Sequence, residues 1–373
     1  MTNKKRFVTI FPPSENVHLT KDVGEVPYVM FRDYGFDATL ATFRNEENYP
    51  SLQTEVNGLK LDFIPRLNHF PTLSVLFYIC RKARKIDILN LYHYSIRTAM
   101  YASCYKVFHP KGIVYIKLDC GVRFLSKKGI KKWFLGVFLT VFPNILSCEI
   151  EHVKKAIITM FPRLANKLLC IPNGVDDVNI EKLDMPVMPF EEKEKLMITT
   201  GNIGVQCKNH PMILNALEKA DLKDWKFAFV GPVMNDFQPI VDDFFLRNPT
   251  LQDKVIFTGN ISNRKELYTW YNRAKVFCLT SFRDSFPLAV VEALYWGDYL
   301  ILTPIAAVND FTNCGNTGKI VTEDVDFIET LQTIIDNPST IADYYPQTLL
   351  LSQKFRWHKV LSILNDKIIE VQK

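Results

Sequence analysis

Apolar positions along this chain cluster in short runs rich in β-branched and aromatic residues, separated by longer stretches with helical spacing. In the first half, segments 7–11, 35–42, 87–93, 112–118, 143–147 and 167–176 read as strands or as turns joined to strands. In the second half, 196–200, 226–231, 255–260, 275–279 and 299–303 do the same. Between them, 26–34, 95–105, 149–160, 212–220 and 266–274 carry helical patterns, and a last amphipathic helix runs to about Val371. A long loop is expected over 12–25. Repeated strand-helix-strand units imply parallel sheets with helices on both faces, and ligands bound beyond the carboxyl ends of the strands.

The stretch from Thr280 to Gly297 organises the rest. It follows the strand at 275–279 and reads as a sharp loop and then a helix, with Ser285 as its cap, Pro287 in its first turn and Gly297 closing its far end. Asp284 then lies in the loop and Glu292 in the helix, with seven residues between them. The N–H groups around Ser285 to Leu288 point out of the helix start, where the macrodipole favours an anion by roughly 0.3–1 kcal/mol. A diphosphate fits such a place.

In this context the string Thr280-Ser281, Asp284-Ser285-Phe286-Pro287, Glu292-Ala293 and Gly297 resembles the signature of the family-4-type retaining glycosyltransferases of group 1. The resemblance implies an α/β GT-B fold: two Rossmann-like domains facing a central cleft, with a C-terminal helix crossing back to the first. It also implies that Asp284 contacts the donor sugar, that Glu292 holds the nucleotide ribose hydroxyls, and that Ser285, Phe286, Pro287 and Leu288 border the phosphates. Asp284 departs from the family's Glu and reaches one methylene less far. Gly201, Asn202 and Lys208 stand where the family has Gly-Arg and a diphosphate-gripping Lys. Lys208 matches, whereas Asn202 leaves one cation to be supplied from elsewhere, by Arg264 or Arg283. Gly259 falls in the family's base-binding loop, and Ile171 to Asp176 is its usual string between the two domains.

The first domain is less marked. Gly24 is a candidate for the loop glycine that faces substrate, or else serves an ordinary turn. Asp119, at a strand end, is an acceptor ligand or proton acceptor, or else only caps the strand; the family's histidine near this point is missing. His93, also at a strand end, is more simply a packed histidine.

A length of 373 residues exceeds one core. The expected division is an acceptor-binding domain over 1–180, a proline- and charge-rich linker over 181–195, a nucleotide-sugar domain over 196–344, and a helical segment over 345–373 that packs on the first domain. Charge is uneven: 25 basic residues face 15 acidic ones in 1–180, against 20 and 25 in 181–373. A basic front half suits an anionic partner. Arg123, Lys127, Lys128, Lys131 and Lys132 precede an aromatic run over 133–142, which suits either an anionic membrane surface or a core helix with a solvated start. Eight scattered cysteines without a C-x-x-C pair favour free thiols in a reducing compartment. The expected location is cytoplasmic, or peripheral on the inner face of the membrane.

The reading is a retaining, metal-independent hexosyltransferase with no cofactor beyond its donor. It moves sugar from a nucleotide-diphosphate donor, UDP-sugar favoured over GDP-sugar, to a glycan or lipid-linked glycan acceptor in surface polysaccharide synthesis, and no nucleic acid is a partner. A sugar-nucleotide epimerase on the same scaffold and a non-catalytic sugar-nucleotide or membrane-binding subunit are the alternatives.

Overall fold

The structure, a computed structural model, describes residues 4–67, 70–118 and 130–373, with 130–135 as backbone alone. Two compact units form, one from residues 1–176 with 356–373 and the other from 177–355.

The first unit holds seven parallel strands: β1 Arg6–Ile10, β2 Asp37–Thr42, β3 Lys60–Phe63, β4 Ile88–Tyr92, β5 Ile113–Lys117, β6 Ile145–Cys148 and β7 Leu168–Cys170. Their spatial order is β3-β2-β1-β4-β5-β6-β7. The second holds β8 Leu196–Thr200, β9 Lys226–Val230, β10 Val255–Phe257, β11 Val276–Leu279, β12 Tyr299–Leu302 and β13 Gly318–Ile320, in the order β10-β9-β8-β11-β12-β13. β4, β5, β8 and β11 are buried at every position, as strands covered on both faces must be, and this is why they read as largely apolar runs without alternation. The edge strands β3 and β13 are short and partly polar, and their sequence pattern did not announce them.

Strand order reverses direction between β1 and β4 and again between β8 and β11. At each reversal the connections leave toward opposite sides, which opens a crevice at the carboxyl edge of the sheet.

The last helix, Trp357–Gln372, belongs to the first unit. Trp357 is buried and its N–H donates to the Val175 carbonyl at 3.1 Å, while the Tyr34 hydroxyl donates to the His358 carbonyl at 2.5 Å.

Two local readings change. Gly24 does not lie in a loop: helices Asn16–Leu19 and Asp22–Arg32 occupy the stretch expected to be irregular. A Cβ on Gly24 would sit 2.1 Å from the Leu19 carbonyl oxygen, so this glycine lets the two helices meet backbone to backbone. Segment 181–195 is part of the second unit rather than a free tether. Phe190 is buried in its core, and Lys193, fully buried, donates to Asp298 at 2.9 Å and to the Ala274 carbonyl at 2.7 Å. Burial raises the Asp298 carboxyl, and the ammonium opposes that shift.

Replacing Lys193 by Met strands the buried Asp298 carboxylate. We expect a loss of about 3–5 kcal/mol at pH 8, measured by urea unfolding, and recovery of most of it in the K193M/D298L double variant. A single variant as stable as the wild type would show that the pair does not hold this segment in place.

Candidate functional site

The carboxyl ends of β8, β9 and β10 carry glycines at positive φ: Gly201 at 123°, Gly231 at 142° and Gly259 at 70°. A Cβ on Gly231 would lie 2.0 Å from the Gly201 carbonyl oxygen, so no other residue fits there. Around Gly201 and Gly259 there is open space instead. Gly231 and Gly259 form an isolated bridge, and the Gly231 N–H donates to the Thr258 hydroxyl at 3.2 Å. The result is a strip of bare backbone at the edge of the sheet. The reading of 226–231 as a strand could not show this contact of Gly231 with Gly201, which joins two separate strand ends.

The loops that leave β8 and β11 are tied together. The Thr280 hydroxyl lies 3.0 Å from the carbonyls of both Lys208 and Asn209, and the Phe282 N–H donates to the Cys207 carbonyl at 2.8 Å. Asn209 takes a left-handed conformation, φ 51°, as the chain turns into helix His210–Lys219. These ties bring two sequence candidates into contact: Lys208 Nζ lies 2.6 Å from Asp284 Oδ2, with both side chains about a fifth exposed.

The following helix is Leu288–Trp296, with Pro287 as its N-cap and Gly297, φ 80°, closing it. This corrects the expected start. Ser285 lies two residues before the N-cap and makes no cap, because proline's fixed φ already delivers the chain into the helix. The Leu288 and Ala289 N–H groups, in the first turn, have no carbonyl within the helix to bond. Phe286 is buried against Phe311, ring centroids 4.5 Å apart, and against Phe355 at 5.7 Å, so its side chain anchors the loop and does not face ligand.

One turn into that helix, Glu292 accepts from Arg264 at 3.1 Å on one oxygen and from the Tyr271 hydroxyl at 3.0 Å on the other. Burial and the nearby Glu292 charge raise the Tyr271 phenol well above its ordinary range, so it stays a donor. With its single proton committed to the carboxylate, the Thr200 hydroxyl at 2.6 Å must donate to the phenol oxygen. Arg264 is thereby placed on Glu292. Each carboxylate oxygen keeps a second lone pair for a ligand hydroxyl. Asn202 is exposed in the loop after β8. Among the described residues, no three His, Cys, Asp or Glu side chains gather as metal ligands do.

His210, absent from the sequence candidates, secures the loop from beneath. It is buried, flanked by Phe229 and Phe237 with centroids 6.1 Å away, and its Nδ1 accepts the Gly204 N–H at 3.0 Å. Burial, helped by the Lys208 charge, pushes its pKa down to about 4.

In the first unit, Asp119 and the basic residues Arg123, Lys127 and Lys128 lie outside the described residues, as do the side chains of Lys131 and Lys132. His93 ends β4 with φ 59°, a conformation costly for a residue with a Cβ. It lines a cavity of about 350 Å³ at the β1/β4 reversal, together with Phe11, Asn45, Tyr92, Arg97 and Tyr101.

Residues 194–337 match the model of the family described as glycosyl transferases group 1. An uncharacterised 41.2 kDa protein of the cps region of Klebsiella pneumoniae is 27% identical over 160 residues, 42% of each chain. The Campylobacter jejuni GalNAc-alpha-(1->4)-GalNAc-alpha-(1->3)-diNAcBac-PP-undecaprenol alpha-1,4-N-acetyl-D-galactosaminyltransferase is 33% identical over 108 residues, 28% of each chain. The match thus spans less than half the length of either relative. Anabaena HepE, solved in complex with UDP and glucose, superposes with a TM-score of 0.72 over 98% of this chain and 100% of its own. At 13% identity that likeness speaks for the fold, which is GT-B.

The His210 geometry makes loop stability depend on pH. Between pH 6.5 and about 4 the unfolded chain binds a proton that the folded imidazole refuses, so stability is present above 6.5 and lost on acidification. This group alone should account for about 3 kcal/mol of the loss, measured as the difference in urea unfolding between pH 7 and pH 4. His210→Gln keeps an acceptor for Gly204 and should flatten that part of the curve; an unchanged pH dependence would place the protonation elsewhere.

Proposed function

We propose that the chain, whose residues 194–337 match the model of glycosyl transferases group 1, is a retaining, metal-independent glycosyltransferase of that family. It moves a hexose from a nucleotide-diphosphate donor, UDP-sugar favoured over GDP-sugar, to a glycan or lipid-linked glycan acceptor in surface polysaccharide synthesis. The observation that carries this reading is the convergence of Lys208, Asp284 and the first turn of helix Leu288–Trp296 on one loop pair, with Glu292 one turn away. A diphosphate beside Lys208 and the Leu288 and Ala289 N–H groups finds one full positive charge and two oriented donors, the charge a metal would otherwise supply. Glu292, held by Arg264 and Tyr271, receives ribose hydroxyls, and the bare backbone at Gly259 leaves room for a flat base.

Asp284 faces the sugar and competes with the diphosphate for Lys208, so donor binding exchanges one partner of the ammonium for another. In the transfer step the bond from the anomeric carbon to the phosphate oxygen breaks and the acceptor oxygen bonds to that carbon on the same face. The acceptor proton passes to the departing phosphate oxygen, so the reaction calls for no separate carboxylate base. The cavity beside His93 suits the acceptor: aromatic rings for the apolar face of a sugar, and Asn45 and Arg97 for its hydroxyls. The undecaprenol-linked acceptor in the name of the Campylobacter relative and the cps-region origin of the Klebsiella one support an acceptor of this class and an anionic membrane as a second partner.

Lys208→Ala should lower turnover of a UDP-hexose at least about a hundredfold with the fold intact by circular dichroism. Wild-type turnover would remove Lys208 from the site, and release of an epimerised sugar without acceptor, seen by mass spectrometry, would replace transfer by epimerisation.

The two carboxylates should separate in calorimetry. Glu292→Gln should weaken binding of the bare nucleoside diphosphate by about 1.5–3 kcal/mol for each ribose hydrogen bond affected. Asp284→Asn should spare or improve that affinity, because it frees Lys208, yet impair binding of the full donor. Equal losses for both ligands in both variants would mean that the pair only braces loop and helix.

A further inference from the structure

Two helices of the first unit, Pro71–Lys82 and Ile96–Phe108, turn apolar side chains to solvent. On the first, Phe70 at the cap, Leu73 and Phe77 are 62%, 51% and 45% exposed. On the second, Ile96 and Val107 are 80% and 73% exposed, and Met100 joins them. The spacing 73, 77, 81 continues the first stripe into Arg81, with Arg84 in the turn that follows, and Lys111 lies just beyond the end of the second helix at Phe108. The helices pack side by side, with Cys80 Sγ 3.4 Å from Cys104 Sγ and the Leu76 carbonyl 3.9 Å from the same sulfur. The two stripes therefore form one face.

Its charge is of one sign. Residues 64–118 contain nine cations and one acid, Asp87, which is paired with Arg6. Lys117 is buried, and Lys82 pairs with Asp62; Arg81, Arg84, Lys85, Arg97 and Lys111 remain in or beside the exposed face. The Arg81 guanidinium lies over the Phe77 ring, 5.0 Å from its centroid, so apolar and cationic groups share the same patch. Helix Ile96–Phe108 follows β4, whose carboxyl end borders the His93 cavity, and Thr72 and Arg97, at the starts of the two helices, line it.

We propose that this face docks on an anionic lipid bilayer, its apolar side chains entering the headgroup region and its cations meeting lipid phosphates. The charge selects that occupant. A second copy of the chain would bring the same cation-rich surface against itself, and like charges would oppose the contact. The helices have 12 and 13 residues, too short to span a bilayer, and among the described residues no helix is long and apolar enough to cross one. The face therefore lies on the membrane. The inference specifies a surface for the membrane partner named above, but it rests on these side chains and does not depend on glycosyl transfer.

Co-sedimentation of the full chain with vesicles tests it: phosphatidylglycerol-rich against pure phosphatidylcholine, at low and high salt. Binding should require the anionic lipid and fall with salt. Arg81→Gln, Arg84→Gln and Lys85→Gln together should lower the partition coefficient about a hundredfold. Leu73→Ser, Phe77→Ser and Ile96→Ser should abolish binding, with circular dichroism and Lys208-dependent turnover on a soluble acceptor unchanged. Equal binding to neutral vesicles, or wild-type binding by both triple variants, would overturn the proposal. So would loss of binding only when Lys127, Lys128, Lys131 and Lys132 are replaced by Gln. Concentration-dependent dimerisation abolished by the serine variant, seen by light scattering without vesicle binding, would assign the face to a second copy.

Discussion

Parallel strands deliver all their carboxyl ends to one edge of a sheet, and everything this protein can do at its candidate sites depends on that constraint. In the second unit, the reversal between β8 and β11 sends two loops apart, and bonds from the Thr280 hydroxyl and the Phe282 N–H hold them close enough for Lys208 and Asp284 to meet. In the first unit, the reversal between β1 and β4 places His93 beside a cavity lined by aromatic rings. Neither arrangement needs a special motif beyond short apolar strands and turns that tolerate unusual φ.

Charge is then handled by pairing at graded depth. Lys193 and Asp298 are fully buried and structural, as are Lys117 and Glu149 in the other unit, 2.6 Å apart. Glu292 with Arg264, and Lys208 with Asp284, are about a fifth exposed or less. That depth is where a pair is dry enough to be strong and open enough to exchange one partner for a ligand. The deep pairs hold the scaffold, whereas the shallow pairs sit where group 1 chemistry is proposed to occur. His210 joins the two levels, since it is buried among phenylalanines yet its acceptor nitrogen positions the backbone next to Lys208.

The two units also differ at their surfaces. The first concentrates cations and solvent-facing apolar residues on two adjacent helices, while the second carries the excess of acid.

Local chain chemistry was enough to read the parallel α/β class, most of the central strands and the loop-helix at 280–297. Burial on both faces leaves largely apolar runs, and a proline and a glycine bracket the helix. It also marked Lys208, Asp284 and Glu292 as candidates, and the structure keeps their spacing from the strand ends. β3 and β13 escaped because their short sequences, KLDF and GKI, carry no apolar run to detect, unlike the edge strands β7 and β10. Gly24 was misplaced because a glycine in a turn and a glycine at a helix crossing look alike until Leu19 is seen 2.1 Å from where its Cβ would be. Ser285 was misread as a cap for want of the chain path through Pro287. Only the tertiary structure could decide the partners of each charge: that Arg264 and Tyr271 hold Glu292, that Lys193 belongs to Asp298, and that Thr200, Gly231 and His210 support the site. Apart from the His210–Gly204 bond, those contacts join residues tens of positions apart, and no local pattern encodes which distant side chain will fill a given lone pair.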